Sequence, residues 1–429
     1  STYNGSPEDY RTGYFANGKE WCFNTNWQDQ IFHTAFSQDY NLGLSGGDQK
    51  GSYTFSIGAL DQQGIIVNSY YKRYNIRSNI ERKVNKWFQF GNFLTASKSQ
   101  NRMTRTNSET FGIINDAISF TPTKGIYDPD HPSGFSEDYG NSRSNPYLYA
   151  QTAKNILESI DFYNSTYGQI NFFDFLNLKE SFGYGYSQSK RDQYYNRYIQ
   201  GGVTPINGYA SQSDSWYQSM SSETTLSFNK NFGIHHVDAV LGTTYEKVDW
   251  GGKSMSGSGF ATDINEEYDM GGATKYDTPS SSRGRSSLMS YLARANYILM
   301  DKYLFTASWR RDGSSRLAFH RWADFYSGAF AWRLSEESFI KKLNFFDNLK
   351  LRIGYGETGN QSINSYSTRS QMVAYPYTYN GVLSGGYAED RWAGPAAPNL
   401  KWENTKQYNV GLDMSILNNR VNFVIDYYR

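Results

Sequence analysis

The chain has 429 residues with 42 basic and 41 acidic side chains, a net charge of +1 that excludes the basic stripe of a nucleic-acid-binding surface. It is 17% aromatic yet has a mean hydropathy of −0.70, and no run approaches the roughly 18 apolar residues of a transmembrane helix. Cys22 is the only cysteine, which excludes an intrachain disulfide and a cysteine-built metal site.

Ser1-Thr2-Tyr3-Asn4-Gly5 has neither the basic nor the apolar region of a signal peptide. From there the chain reads as about seven hairpins of alternating strands. Tyr40–Gly46 and Ser52–Ala59 flank a tight Gly46-Gly47-Asp48 turn, and Tyr70–Lys83 joins Trp87–Ser97 near Asn85-Lys86. Phe162–Asn171 pairs with Leu176–Ser187, and Thr224, Leu226 and Phe228 answer Val237, Ala239 and Leu241 across Asn229–Gly233. Tyr291, Ala295 and Tyr297 face Tyr303, Phe305, Ala307 and Trp309. Asp324–Arg333 leads to Asn348–Glu357, and Lys406–Ile416 to Val421–Arg429 through Asn418-Asn419. The sixth hairpin shows the pattern most plainly: Leu349, Leu351, Ile353 and Tyr355 alternate with Lys350, Arg352, Gly354 and Gly356. Side chains on a strand point to opposite faces with period 2, so one face is apolar and the other polar.

Each alternating stretch is about 10 residues, the length a tilted strand needs to cross a bilayer. Connections alternate between short turns and long loops such as Gln100–Ser159, Gln188–Gln218, Lys247–Ser286 and Asn360–Thr405. Short periplasmic turns and long extracellular loops belong to outer-membrane barrels, whose aromatic girdles also reconcile many rings with low hydropathy. The expected fold is therefore all-β, an antiparallel transmembrane β-barrel of about 14 strands over residues 1–429. Val421, Phe423, Ile425 and Tyr427 form a strand that stops at Arg429, where an open edge in lipid would be costly, so the expectation is an internal piece of a longer barrel. Ser335 followed by Glu336, Glu337, Lys341 and Lys342 predicts a hydroxyl-capped helical turn at the short-turn rim.

Five segments resemble one family. They are Asn26–Phe32 with Tyr40–Gly47, Tyr303–Arg316, Ala331–Glu337, Leu349–Asn360, and Pro398–Glu403 with Tyr408–Asp413. In this order they resemble the barrel of SusC/RagA-type TonB-dependent transporters. The resemblance implies a roughly 22-stranded barrel of the Gram-negative outer membrane, with a plug and TonB box that have no counterpart in this sequence. It further implies import of oligosaccharides or peptides beneath a SusD-like surface lipoprotein, energised through TonB. Three other readings stand beside it: a siderophore- or cobalamin-type receptor, a barrel scaffold in an outer-membrane assembly, and a soluble all-β carbohydrate-binding surface protein.

Loop aromatics give the candidate contacts. Tyr375, Tyr377, Tyr379, Tyr387, Asp390, Arg391 and Trp392 combine rings that stack on ligands with charged groups that hydrogen-bond them. Trp216, Tyr217 and Trp250 form a weaker set. Large loop aromatics serve interfaces first, so packing between loops or against the lid is the leading expectation and ligand contact the second. Arg294, Arg310, Lys350 and Arg352 fall on the polar side of their strands and are expected to face the lumen and plug. His235-His236 point opposite ways on a strand, which does not suit a metal site, and no cofactor is expected. Asp128-Pro129-Asp130 departs from a calcium loop because Ser133 stands where glycine is needed, while calcium held by scattered loop oxygens stays open. No nucleophile–base pair, zinc motif or phosphate loop is present, so the chain is not expected to be an enzyme.

Overall fold

The computed structural model describes residues 24–104, 112–138, 143–199, 207–390, 394 and 396–429. Alternation in the sequence becomes one antiparallel meander. It begins with β1 (Ser37–Asp48), β2 (Gly51–Gln63), β3 (Tyr70–Lys83) and β4 (Phe88–Arg102). It continues through β5 (Lys154–Phe173), β6 (Leu176–Tyr195), β7 (Tyr209–Phe232) and β8 (His235–Ser258), with the two-residue β9 (Lys275–Tyr276) at the far end of β8. Then come β10 (Ser280–Leu299), β11 (Tyr303–Ser314), β12 (Trp322–Arg333) and β13 (Phe346–Asn360). The short strands β14 (Met372–Ala374), β15 (Tyr377–Tyr379), β16 (Val382–Ser384) and β17 (Tyr387–Glu389) lie in one loop, and β18 (Glu403–Ile416) and β19 (Val421–Tyr428) complete the sheet. Fourteen of these pair strictly with their neighbours in chain order, while β1 and β19 are the two edges and do not pair with each other.

The register assigns each side chain to a face. Leu42, Ile57, Ile76, Ala96 and Phe162 are successive cross-strand partners, as are Leu226, Leu241, Ala293, Trp309 and Tyr326, and Ile353, Val410 and Tyr427. These apolar residues share one face and many are exposed on it. Near the short turns that face carries linked rings: Phe173 stacks on Phe175, Phe175 meets Phe228, and Phe305 meets Phe330. Tyr291 with Trp322, and Tyr355 with Tyr408, mark a second row higher on the strands. Two aromatic rows around an apolar band is the profile of a lipid-facing wall. The opposite face, with Arg310, Asp312, Arg352 and Asp413, is the lumen side.

Several expectations shift in detail. The first turn is Asp48–Gly51 rather than Gly46–Asp48, because Asp48 Oδ1 accepts from Lys50 N at 2.8 Å and Gly51 N at 2.9 Å. The fourth turn narrows to Gly233-Ile234, with Gly233 in the left-handed region (φ 62) and the ladder running on to Phe232 and His235. Strands β5 and β6 have 20 residues and β7 and β8 have 24, so much of the expected loop at Gln188–Gln218 and Lys247–Ser286 is ladder. Above the lipid both faces meet water, so apolar alternation disappears while backbone pairing continues. Asn26–Phe32, grouped above with the segments that resemble the family's barrel, is not a strand but contains helix α1 (Trp27–Ile31), with Asn26 as its cap. Ser335 lies inside a 3₁₀ turn (Leu334–Glu336), and the following helical turn Ser338–Lys341 starts from Glu337 with no side-chain cap.

The long β4–β5 connection holds two helices, α2 (Ile113–Ser119) and α3 (Pro146–Thr152). With α1 and the β2–β3 turn they bury Trp27, Ile31, Ile66, Ile113, Phe120 and Tyr149 in a small core at the long-loop end. Trp27 and Phe120 meet edge to face at 4.6 Å, and Trp27 Nε1 donates to Thr121 O at 3.2 Å. This core fixes the upper rim on which the loops stand.

Candidate functional site

The lumen wall forms a cavity of about 290 Å³ where β7, β8 and β10 rise toward the loops. Tyr217 and Trp250 are direct cross-strand partners, and both face inward. The indole of Trp250 lies against Gly284, where an added side chain would collide with the ring. Gly284 therefore lets the indole lie flat on the wall. Glu246 from β8, Ser286 and Leu288 from β10, Arg316 and Gln361 complete the lining. Arg316 is held by its Nη1, which donates to Ile363 O at 3.2 Å, and Leu317 beside it is buried. An aromatic platform beside a carboxylate, a guanidinium and an amide suits a polar ligand with apolar patches. Trp216, expected alongside, points to the other face and covers Gly251.

The tyrosine loop is a two-tier hairpin. β14 pairs with β17 and β15 with β16, and Asn380-Gly381 turn the tip in the left-handed region (φ 52 and 75). Asn-Gly between alternating residues is a strong hairpin signal, and it was present in the sequence. Tyr375, Tyr377, Tyr379 and Tyr387 are all exposed on this finger, so the structure presents them together without packing them into a core. Asp390 N donates to Gln371 O at 2.8 Å at the base. Arg391 and Trp392 lie outside the described residues.

The four basic candidates all point inward. Arg310 Nε reaches both oxygens of Asp312, at 2.7 and 2.9 Å, and its Nη2 donates to Ser290 Oγ at 3.1 Å. Arg352 holds Asp413 through two nitrogens, at 2.9 and 2.7 Å, and Asp426 at 3.0 Å. Arg294 is exposed and Lys350 half-buried on the same wall. Asp312 lies two residues along the same strand as Arg310, whereas Asp413 and Asp426 come from the first and second strands beyond Arg352, 61 and 74 residues away in sequence, where reasoning strand by strand does not reach. His235 and His236 diverge as alternation requires, to Tyr297 Oη at 2.7 Å and Asn231 Oδ1 at 2.6 Å.

Two latches hold the loop after β8. Asp263 accepts from Tyr194 Oη at 2.7 Å and from Arg197 Nε at 2.8 Å, tying that loop to the end of β6. Burial first, and then the Asp263 carboxylate, push the Tyr194 phenol above its usual range. Lys154 at the start of β5 pairs with Glu266 at 2.9 Å and with the fully buried Glu267, and lies 4.6 Å over the Tyr268 ring. Burial acts to lower the Lys154 ammonium, but the Glu267 and Glu266 carboxylates outweigh it and raise it above normal.

A family model described as "TonB dependent receptor-like, beta-barrel" matches residues 107–429. The chain belongs to that family. It is 31% identical to TonB-dependent receptor P3 of Formosa agariphila, over 98% of this chain and 42% of that protein. It is 29% identical to TonB-dependent receptor SusC of Bacteroides thetaiotaomicron, over 94% of this chain and 42% of that protein. The chain thus spans about two fifths of these curated relatives. Among solved structures, the RagAB peptide importer in its open-open state superposes with a TM-score of 0.77 at 24% identity, covering 99% of this chain and 48% of that one. The ferric citrate transporter FecA gives 0.51 at 10% identity, covering 89% and 46%. Both likenesses concern the fold. The TonB-dependent receptor-like strands cross the outer membrane, with the apolar wall to lipid and the Trp250 cavity on the lumen side.

Proposed function

We propose that the full-length protein is an active importer of large nutrients, oligosaccharides or peptides, driven through TonB beneath a SusD-like surface lipoprotein. The observation that carries this reading is the inward cavity of Tyr217, Glu246, Trp250 and Arg316 directly below the long loops, within a barrel of the TonB-dependent receptor-like family. Flat rings take the apolar faces of a sugar or side chain, and the charged groups take its polar edges. The exposed tyrosine finger supplies rings at the rim for the lipoprotein or the arriving ligand. Arg310, Arg352 and the exposed Arg294 line the path and face the plug. This role is transport without chemistry on the substrate.

Purification of the full-length protein from outer membranes in mild detergent tests the reading. A stoichiometric surface lipoprotein is expected to accompany it, and loss of TonB is expected to abolish uptake of the bound nutrient. A barrel that purifies alone and takes up a ferric siderophore would overturn the lidded-importer reading.

A further inference from the structure

The lipid-facing wall carries a groove of about 910 Å³ across β1–β5. Its floor is made by two small residues set among large ones. Ala59 lies between its cross-strand partners Tyr40 and Tyr74, and Ala96 lies between Ile76 and Phe162. Ile57, Ile76 and Phe162 are exposed on this face and form the walls. The volume is in the range of ligand sites, and the apolar sides suit an acyl chain. Asp161, also at the groove, points to the lumen face and accepts from Ser187 Oγ at 2.6 Å.

The end toward the long loops is different. Lys98 is the cross-strand partner of both Tyr74 and Ile160 and lines the groove there. Ten residues separate it from Phe88 beside the short turn, so β4 has crossed the hydrocarbon and the ammonium sits at the outer boundary. Lys98 and Tyr74 are both exposed, and neither has a hydrogen bond or ion pair among the described residues. The charged groups one step further out are already engaged. Lys72 pairs with Asp61 at 3.2 Å, and Glu158 accepts from Gln100 Nε2 at 2.7 Å. An ammonium with three donors beside a phenol hydroxyl is a receptor for a phosphate. The groove is thus apolar below and cationic above, the order of tail and headgroup in an anionic lipid of the outer leaflet. A second apolar groove of about 540 Å³ crosses β10–β13 over Ala295 and Ala307, and no charged side chain lines it. The cation at the mouth is therefore particular to the first groove.

We propose that the groove on β1–β5 is a binding site for a phosphorylated lipid of the outer leaflet, with an acyl chain over Ala59 and Ala96 and the phosphate held by Lys98 and Tyr74. This depends on which face meets lipid and is independent of what is imported.

The test uses the full-length protein in non-ionic detergent, titrated with dioleoyl phosphatidic acid and read by native mass spectrometry. Saturable binding is expected, weakened about tenfold by Lys98→Gln, the scale of one lost charge-assisted contact. Dioleoylglycerol, the same chains without the phosphate, is expected to bind about tenfold more weakly. Inorganic phosphate alone is expected not to compete. Ala96→Trp, which fills the floor, is expected to remove binding, whereas Ala307→Trp in the second groove is expected to leave it unchanged. Heat-modifiable gel mobility reports that each variant is folded. Unchanged affinity in folded Lys98→Gln or Ala96→Trp, an equal loss in Ala307→Trp, or competition by inorganic phosphate would each overturn the proposal. Equal affinity for dioleoylglycerol would also overturn it, and would assign the groove to any acyl chain, a lipoprotein anchor included.

Discussion

Trp250 shows how one residue's role depends on another far along the chain. Its indole lies on the lumen wall because Gly284, on the next strand, has no side chain to lift it. Trp250→Ala is expected to lower affinity for the imported ligand about tenfold, the scale of one lost aromatic contact, in a fluorescence titration. Equal affinity for both proteins would move ligand contact to the loops alone. Asp263 is the second such residue. Asp263→Ala leaves the buried Tyr194 hydroxyl without its acceptor, a loss of about 1–3 kcal/mol. Faster hydrogen exchange in the loop after β8 is the expected result, and unchanged protection would show that the loop is held by packing instead. Tyr217 and Trp250 were legible as candidates because aromatics stand out in polar surroundings. Glu246, Arg316 and Gln361 were not, because each is an ordinary polar residue until folding brings it beside the indole.

Elements with local signals were read well. The β3 bounds, the Asn85 turn and the Asn418-Asn419 turn follow from residues within a few positions of one another. The segment after β12 was harder, because what anchors it is distant. Glu337 accepts from Tyr303 Oη at 2.7 Å, Lys302 Nζ at 3.0 Å and Trp332 Nε1 at 3.2 Å, and Glu336 from Lys341 Nζ at 2.6 Å. The Tyr303 bond lowers the Glu337 carboxyl most, and the Lys341 bond does the same for Glu336. Both folded-state values lie below the unfolded ones. Their stabilising effect is therefore present above the unfolded carboxylate range and is lost as pH falls through the depressed values. Acidification below about pH 4 is expected to loosen Leu334–Lys341 first, seen as a change in Trp332 fluorescence. Glu337→Gln should flatten that transition, and an unaltered transition in the variant would assign it to other groups.

Across the whole molecule, the face assignment is the property on which most else depends, and it is directly testable. Leu241 is outward in the apolar band and its neighbour Val240 is inward. Leu241→Arg is expected to destabilise the folded barrel by about 2–4 kcal/mol in a membrane folding titration, whereas Val240→Arg should be tolerated by the water-filled side. Equal costs would overturn the assignment. The sequence by itself determined the strand alternation, the number of crossings, the polarity of the two faces and the alternation of short turns with long loops. Each of these is periodic or local, and the physical cause is the fixed side-chain period of a strand. Tertiary structure alone decided the Arg352–Asp413–Asp426 bridge, the three-helix core at the rim, the Lys154 and Asp263 latches, and the setting of Trp250. Those join residues whose proximity is set by strand register and loop folding, and neither is written in the composition of any single segment.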